Sequence, residues 1–131
     1  MLDLTPTIEE ITGVKSDDPR HGLSLIPLIA GNKQPERDDF AVSSSNGQQF
    51  GFYCNRSVRT SKYRYTWNLT DVDELYDIKN DPGELHNIAT QTEYSEILRE
   101  LRLKLYDKLV FYNDPFACHY VGDQLRSGRK V

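Results

Sequence analysis

One stretch of seven residues constrains this chain more than any other. From Lys62 to Asn68, Tyr63, Tyr65 and Trp67 alternate with Lys62, Arg64 and Thr66. A helix would scatter those aromatics around its axis. An extended strand collects them on one face. That face needs a cover, and the chain supplies one further along. Tyr94, Ile97/Leu98, Leu101, Leu105, Leu109 and Tyr112 recur at helical spacing. Thr90-Gln91-Thr92-Glu93 reads as a capping box before this long helix, and Asn113-Asp114-Pro115 as its stop.

Other segments add strands. Phe40 and Val42 alternate with polar neighbours, and Phe50, Phe52 and Cys54 share a face. Ser57 to Thr60 and Lys62 to Asn68 form a hairpin around Thr60-Ser61-Lys62. Glu74 to Ile78 is a further short strand, closed by the turn Asn80-Asp81-Pro82-Gly83. The expected fold class is α+β: a small antiparallel sheet of three to four strands packed against a long C-terminal helix. A short helix precedes it, with Thr5 as cap, Pro6 at the first helical position and Gly13 as stop. Leu23 to Gly31 is a helical turn in a buried connection. The first 39 residues do not belong naturally to the sheet, which spans 40–116. Residues 117–131 lack periodicity and are expected to be an extended or frayed tail.

Composition narrows function. Sixteen basic against twenty acidic residues leave a net charge of −4. The aromatic and basic mixture of Arg56, Arg59, Lys62 and Arg64 therefore does not point to nucleic acid. Its basic side chains are expected in solvent, opposite a buried aromatic face. No apolar run approaches the roughly 20 residues of a membrane span, so no membrane contact is expected. The start lacks the pattern of a signal peptide. His21, His86 and His119 do not stand at ligand spacing with one another or with a cysteine. Asp71-Val72-Asp73-Glu74 begins like a calcium loop, but Leu75 occupies a ligand position. Asn55-Arg56-Ser57 and Asn68-Leu69-Thr70 are glycosylation sequons, relevant only in a eukaryotic secretory pathway.

Four stretches, in order, resemble the C-terminal part of sulfatases. Leu2-Asp3-Leu4-Thr5-Pro6-Thr7-Ile8 resembles the segment after the family's metal site. Gly22-Leu23-Ser24-Leu25-Ile26-Pro27-Leu28-Ile29-Ala30-Gly31 is similar to Gly-x-Ser-Leu-x-Pro-Leu-x-x-Gly. Ser57 to Tyr65 resembles Met-Val-Arg-Thr-x-x-Tyr-Lys-Tyr. Asp73 to Ala89 resembles Glu-Leu-Tyr-Asp-Leu-x-x-Asp-Pro-x-Glu-x-x-Asn-Leu-Ala. The resemblance runs from Leu2 to about Phe116.

The resemblance implies a parent enzyme that hydrolyses sulfate esters, plausibly on a carbohydrate, with formylglycine as nucleophile and calcium as Lewis acid. It carries no catalytic or metal-binding residue onto this chain. Neither Cys54 nor Cys118 stands in a Cys-x-Pro-x-Arg motif, and the metal segments lie upstream of Leu2 in the family. The resemblance makes the first 39 residues a remnant of the catalytic-domain edge, truncated before the catalytic core. It makes Asn46, Gln48 and Gln49 candidates for the substrate-cleft edge. Arg59, Leu25 and Ile26 become candidates for the interface with a missing catalytic domain. The expected partners are that domain and, through it, a sulfated small molecule or carbohydrate. The chain alone is expected to be inactive. Two alternatives stand beside this one: a free-standing binding module that associates through an orphaned apolar face, and part of a related phosphate-ester hydrolase.

Overall fold

The computed structural model describes residues 2–17, 21–32, 38–47 and 53–129. The chain divides into two compact units, Met1–Arg37 and Asp38–Val131.

The first unit holds α1 (Leu4–Thr12) and α2 (Ile26–Ile29). Gly13 ends α1 at φ 71°, a left-handed value that favours glycine. Thr5, expected as the cap, lies inside the helix instead. Asp3 takes the cap position, yet its carboxylate makes no capping bond. It accepts the Leu23 N–H at 2.9 Å. Pro6 sits third in the helix, still within the first turn where no backbone donor is required. Thr7 donates its hydroxyl to the Asp3 carbonyl at 2.6 Å and accepts the Leu25 N–H at 2.9 Å. These bonds stitch the first turn of α1 to the segment before α2. Gly22 is obligatory in that stitch: a Cβ there would stand 2.1 Å from the Leu2 carbonyl oxygen.

The second unit opens with a four-stranded antiparallel meander: β1 (Ala41–Asn46), β2 (Cys54–Arg59), β3 (Tyr63–Asn68) and β4 (Glu74–Asp77), in that order. Cys54 and the Ser57–Arg59 arm belong to one strand, β2; Phe50 and Phe52 lie outside the described residues. The β2–β3 turn has no glycine. Thr60 does its work, accepting the Tyr63 N–H on its hydroxyl at 2.9 Å while its own N–H reaches the Tyr63 carbonyl at 2.9 Å.

A 3-10 turn (Thr92–Tyr94) leads into α3 (Ser95–Phe111). The expected capping box at Thr90–Glu93 does not form, and no side chain caps α3. Tyr94 anchors the helix start differently, with its ring edge-on to Tyr63 at 6.4 Å between centroids. Leu98, Leu101, Leu105 and Leu109 of α3 pack with Val58, Tyr65, Trp67 and Leu75 of the sheet in one buried cluster. The register explains the pairing of faces. Val58 stands opposite Tyr65, and Tyr65 opposite Leu75, so all three share one side.

Residues 117–131 correct the expectation of a frayed tail. Residues His119–Ser127 form α4, ended by Gly128 at φ 72°. Val121, Gln124 and Leu125 are buried, and Gln124 Oε1 accepts the Trp67 indole N–H at 3.2 Å. Two apolar residues are too few to make a periodic signal. Packing against the rest of the core stabilises the helix where propensity alone does not. Gly122 allows close approach, since a Cβ there would lie 2.7 Å from the Tyr106 hydroxyl.

Candidate cleft edge and interface residues

Asn46 is the last residue of β1 and is exposed. Beside it, on β2, lies a cation that corrects the expectation of solvated basic side chains. Arg56 is 1% exposed. Its Nε donates to Asp114 Oδ2 at 2.8 Å and its Nη2 to Asp114 Oδ1 at 3.2 Å. Nη1 donates to Asn46 Oδ1 and to the Asn55 carbonyl, both at 2.8 Å, and to the Ser45 carbonyl at 3.4 Å. The Phe116 ring lies 4.8 Å from the guanidinium carbon. Phe116 also packs against Trp67, at 5.6 Å between centroids.

The geometry follows from local folding. Arg56 faces Trp67 across the β2–β3 register, so its side chain leaves the sheet on the core side. Asp114 follows the C-terminal end of α3, where the chain turns and Asn113 takes φ 51°. A buried guanidinium demands a carboxylate and further acceptors, because a lone buried charge is very costly. The end of β1 and the turn after α3 supply them.

A second polar node lies toward the β4 edge of the sheet. Tyr65 donates its phenol to Asp73 Oδ2 at 2.6 Å, and Arg102 Nη2 reaches the same oxygen at 3.2 Å. Burial, reinforced by the neighbouring Asp73 charge, pushes the Tyr65 phenol well above its ordinary range. It stays a neutral donor. This phenol is a bolt between β3, the β3–β4 loop and α3.

The other candidates are scattered. Gln48 and Gln49 lie outside the described residues. Arg59 is exposed at the end of β2, on the sheet face opposite α3. It shares Glu84 with Arg64: Arg59 Nη1 lies 3.3 Å from Glu84 Oε1, and Arg64 pairs with Oε2. Leu25 and Ile26 are half-buried in the first unit, with their N–H groups held by Thr7 and Ser24. Asn68 is 2% exposed and donates its amide to the Val72 carbonyl and Glu74, so the folded chain does not offer it for glycosylation. His119 pairs with Asp123 at 3.0 Å. Among the described residues, no three His, Cys, Asp or Glu side chains gather as a metal site.

Sequence reasoning missed the Arg56–Asp114 pair. Its members stand 58 residues apart, and Asp114 served there only as a helix stop.

Comparison with known proteins places this architecture. Residues 1–110 match the family described as N-sulphoglucosamine sulphohydrolase, C-terminal. A Delta 4,5-hexuronate-2-O-sulfatase of Bacteroides thetaiotaomicron is 36% identical over 88% of this chain and 24% of its own length. The crystal structure of a putative sulfatase from the same organism superposes with a TM-score of 0.77 at 35% identity, covering 87% of this chain and 25% of that one. A phosphonate monoester hydrolase of Agrobacterium radiobacter shares the fold at 22% identity, with a TM-score of 0.69 over 85% of this chain and 24% of its own. The chain thus spans about a quarter of the length of these relatives. It belongs to the N-sulphoglucosamine sulphohydrolase C-terminal family, the region that forms the C-terminal part of bacterial sulfatases in the alkaline-phosphatase superfamily.

Proposed function

We propose that this chain serves as the C-terminal subdomain of a sulfatase acting on a sulfated carbohydrate. It supports the fold of the catalytic domain and borders the substrate cleft with the end of β1. By itself it hydrolyses no sulfate ester. The observation that carries this proposal is the continuous family match over residues 1–110, which crosses both compact units. The relatives named above include a hexuronate-2-O-sulfatase, and a further solved relative, 26% identical, is described in complex with D-glucosamine-2-N,6-O-disulfate. Carbohydrate sulfates are therefore the substrate class to test.

The first unit supports a docking role. Leu4, Ile8, Ile11, Leu28 and Ile29 are exposed on its two helices. Such side chains favour burial against a partner, here the catalytic domain. Residues 1–39 would be the edge of that domain, and 40–116 the subdomain proper. Calcium and formylglycine would belong to the catalytic domain. Neither cysteine of this chain has the surrounding Pro and Arg.

The mass of the native gene product tests the proposal. An antibody against this segment should detect a band several times larger than 15.1 kDa in source cells. A band near that mass would instead favour the free-standing binding module. For the isolated chain, calcium-dependent release of sulfate from a carbohydrate sulfate would refute inactivity.

A further inference from the structure

We propose that Asn46-Gly47 is a latent deamidation site and that Arg56 is a positioning residue that holds it unreactive. This role is independent of the function proposed above. Asn46 is the one asparagine followed by glycine, and each other asparagine precedes a residue with a side chain. Glycine leaves its nitrogen unhindered and its backbone loose. That makes this pair the reactive one in the chain. In the reaction, the Gly47 nitrogen gives its proton to hydroxide and attacks the Asn46 side-chain carbon. A C–N bond forms, the bond to the side-chain amide nitrogen breaks, and ammonia leaves. Water then opens the five-membered imide to aspartate or isoaspartate. Both residues are exposed, so solvent supplies the hydroxide and the water.

Attack needs the side-chain carbon to swing over the next peptide nitrogen, which an extended backbone disfavours. Asn46 is held extended as the last residue of β1, opposite Cys54. Its side chain is held as well, since Oδ1 accepts from Arg56 Nη1 at 2.8 Å. The same Nη1 donates to the Asn55 carbonyl at 2.8 Å and to the Ser45 carbonyl at 3.4 Å, which ties both strands together beside the site. Arg56 is itself fixed: Asp114 takes two of its donors side by side, and Phe116 covers the guanidinium face. The guanidinium also draws electrons from the carboxamide, which favours attack. That help counts only once the nitrogen is within reach, so restraint decides the rate. Deamidation would set a second carboxylate beside Arg56, in competition with Asp114.

The experiment incubates the full chain at mildly alkaline pH, native and unfolded in guanidinium chloride. Peptide mass spectrometry and an isoaspartate assay read the conversion at residue 46. The native chain should deamidate there about ten to a hundred times more slowly than the unfolded one, the factor by which opening one charge-assisted hydrogen bond disfavours the released state. Arg56→Lys keeps the charge but loses the planar fork. Folded by circular dichroism, it should recover most of that difference. If it does not fold, Asp114→Glu takes its place with the same expectation, because the longer side chain displaces the guanidinium while keeping it paired. Gly22→Ala loosens the first unit and should leave the rate at Asn46 unchanged. Three results overturn the proposal: a native chain that reacts as fast as the unfolded one or faster, a folded clamp variant as slow as the native chain, and a rate raised as much by Gly22→Ala as by Arg56→Lys.

Discussion

The two units of this chain treat the same kinds of side chain in opposite ways. In Asp38–Val131, Val58, Tyr65, Leu75 and Leu105 are fully buried. In Met1–Arg37, Ile11 is 67% exposed and Ile29 75% exposed, and Thr7 is the buried residue among those described. Both units carry apolar residues at helical spacing. The difference lies in what stands opposite. A four-stranded sheet and two further helices offer enough apolar surface to close over one another. A nine-residue helix and a four-residue helix do not. Apolar periodicity therefore identifies a face to be covered. It does not say whether the cover comes from the same unit.

Five measurements would break or sharpen that contrast. The largest effect is expected for Trp67→Ala, at about 3–5 kcal/mol of stability by denaturant unfolding. It empties the centre of the second unit and removes the contacts with Phe116 and Gln124. A loss below about 1 kcal/mol would mean that α4 and Phe116 do not seal the core there. Asp114→Ala should follow, at about 3 kcal/mol, because it strands the buried Arg56 charge. A near-neutral result would show that Arg56 finds another partner or water.

Gly22→Ala should cost about 1–3 kcal/mol within the first unit alone, because the new methyl meets the Leu2 carbonyl. Hydrogen exchange reads this directly: the Leu23 and Leu25 amides should lose protection while those of β3 do not. Equal loss in both units would mean that they unfold together. Ile8→Ser combined with Ile29→Ser should change stability of the isolated chain by no more than about 0.5 kcal/mol, since both side chains are exposed. The same change should abolish any self-association seen by size-exclusion chromatography. Unaltered association would place the sticky surface elsewhere.

The smallest effect concerns pH. The His86 and Leu85 N–H groups donate to Asp81 Oδ2 at 2.9 and 2.8 Å and hold its carboxyl below the ordinary aspartate value, the His86 bond having the larger influence. A depressed folded-state pKa means that the unfolded chain binds more protons in that window. The stability is present above the unfolded value and is lost as pH falls through the folded one. The difference between the native chain and Asp81→Asn should therefore shrink on acidification across that range. A difference independent of pH would show that the carboxylate charge is irrelevant to the turn.

The strand with three aromatics, the leucine stripe of α3 and the meander around them were legible because each is a local pattern with a fixed period. Tyr65 and Trp67 had to face a helix with Leu101, Leu105 and Leu109 on one side. The stop at Gly13 was legible for an equally local reason: glycine alone adopts its left-handed backbone without strain. The cap of α1 was not, because Asp3 found a partner twenty residues away. Nor was α4, whose few apolar residues gain a helix only from the surface beneath them.

Of the candidate cleft edge, the sequence supplied Asn46 and little else. It determined the fold class and, through four ordered motifs, the family, since both are written in spacing along the chain. Tertiary structure alone decided that Arg56 is buried and that Asp114 neutralises it. It also decided that the Asn46 oxygen is taken. Those facts depend on which distant side chains share one low-dielectric space, where an unpaired charge is intolerable and a paired one is held rigidly in place.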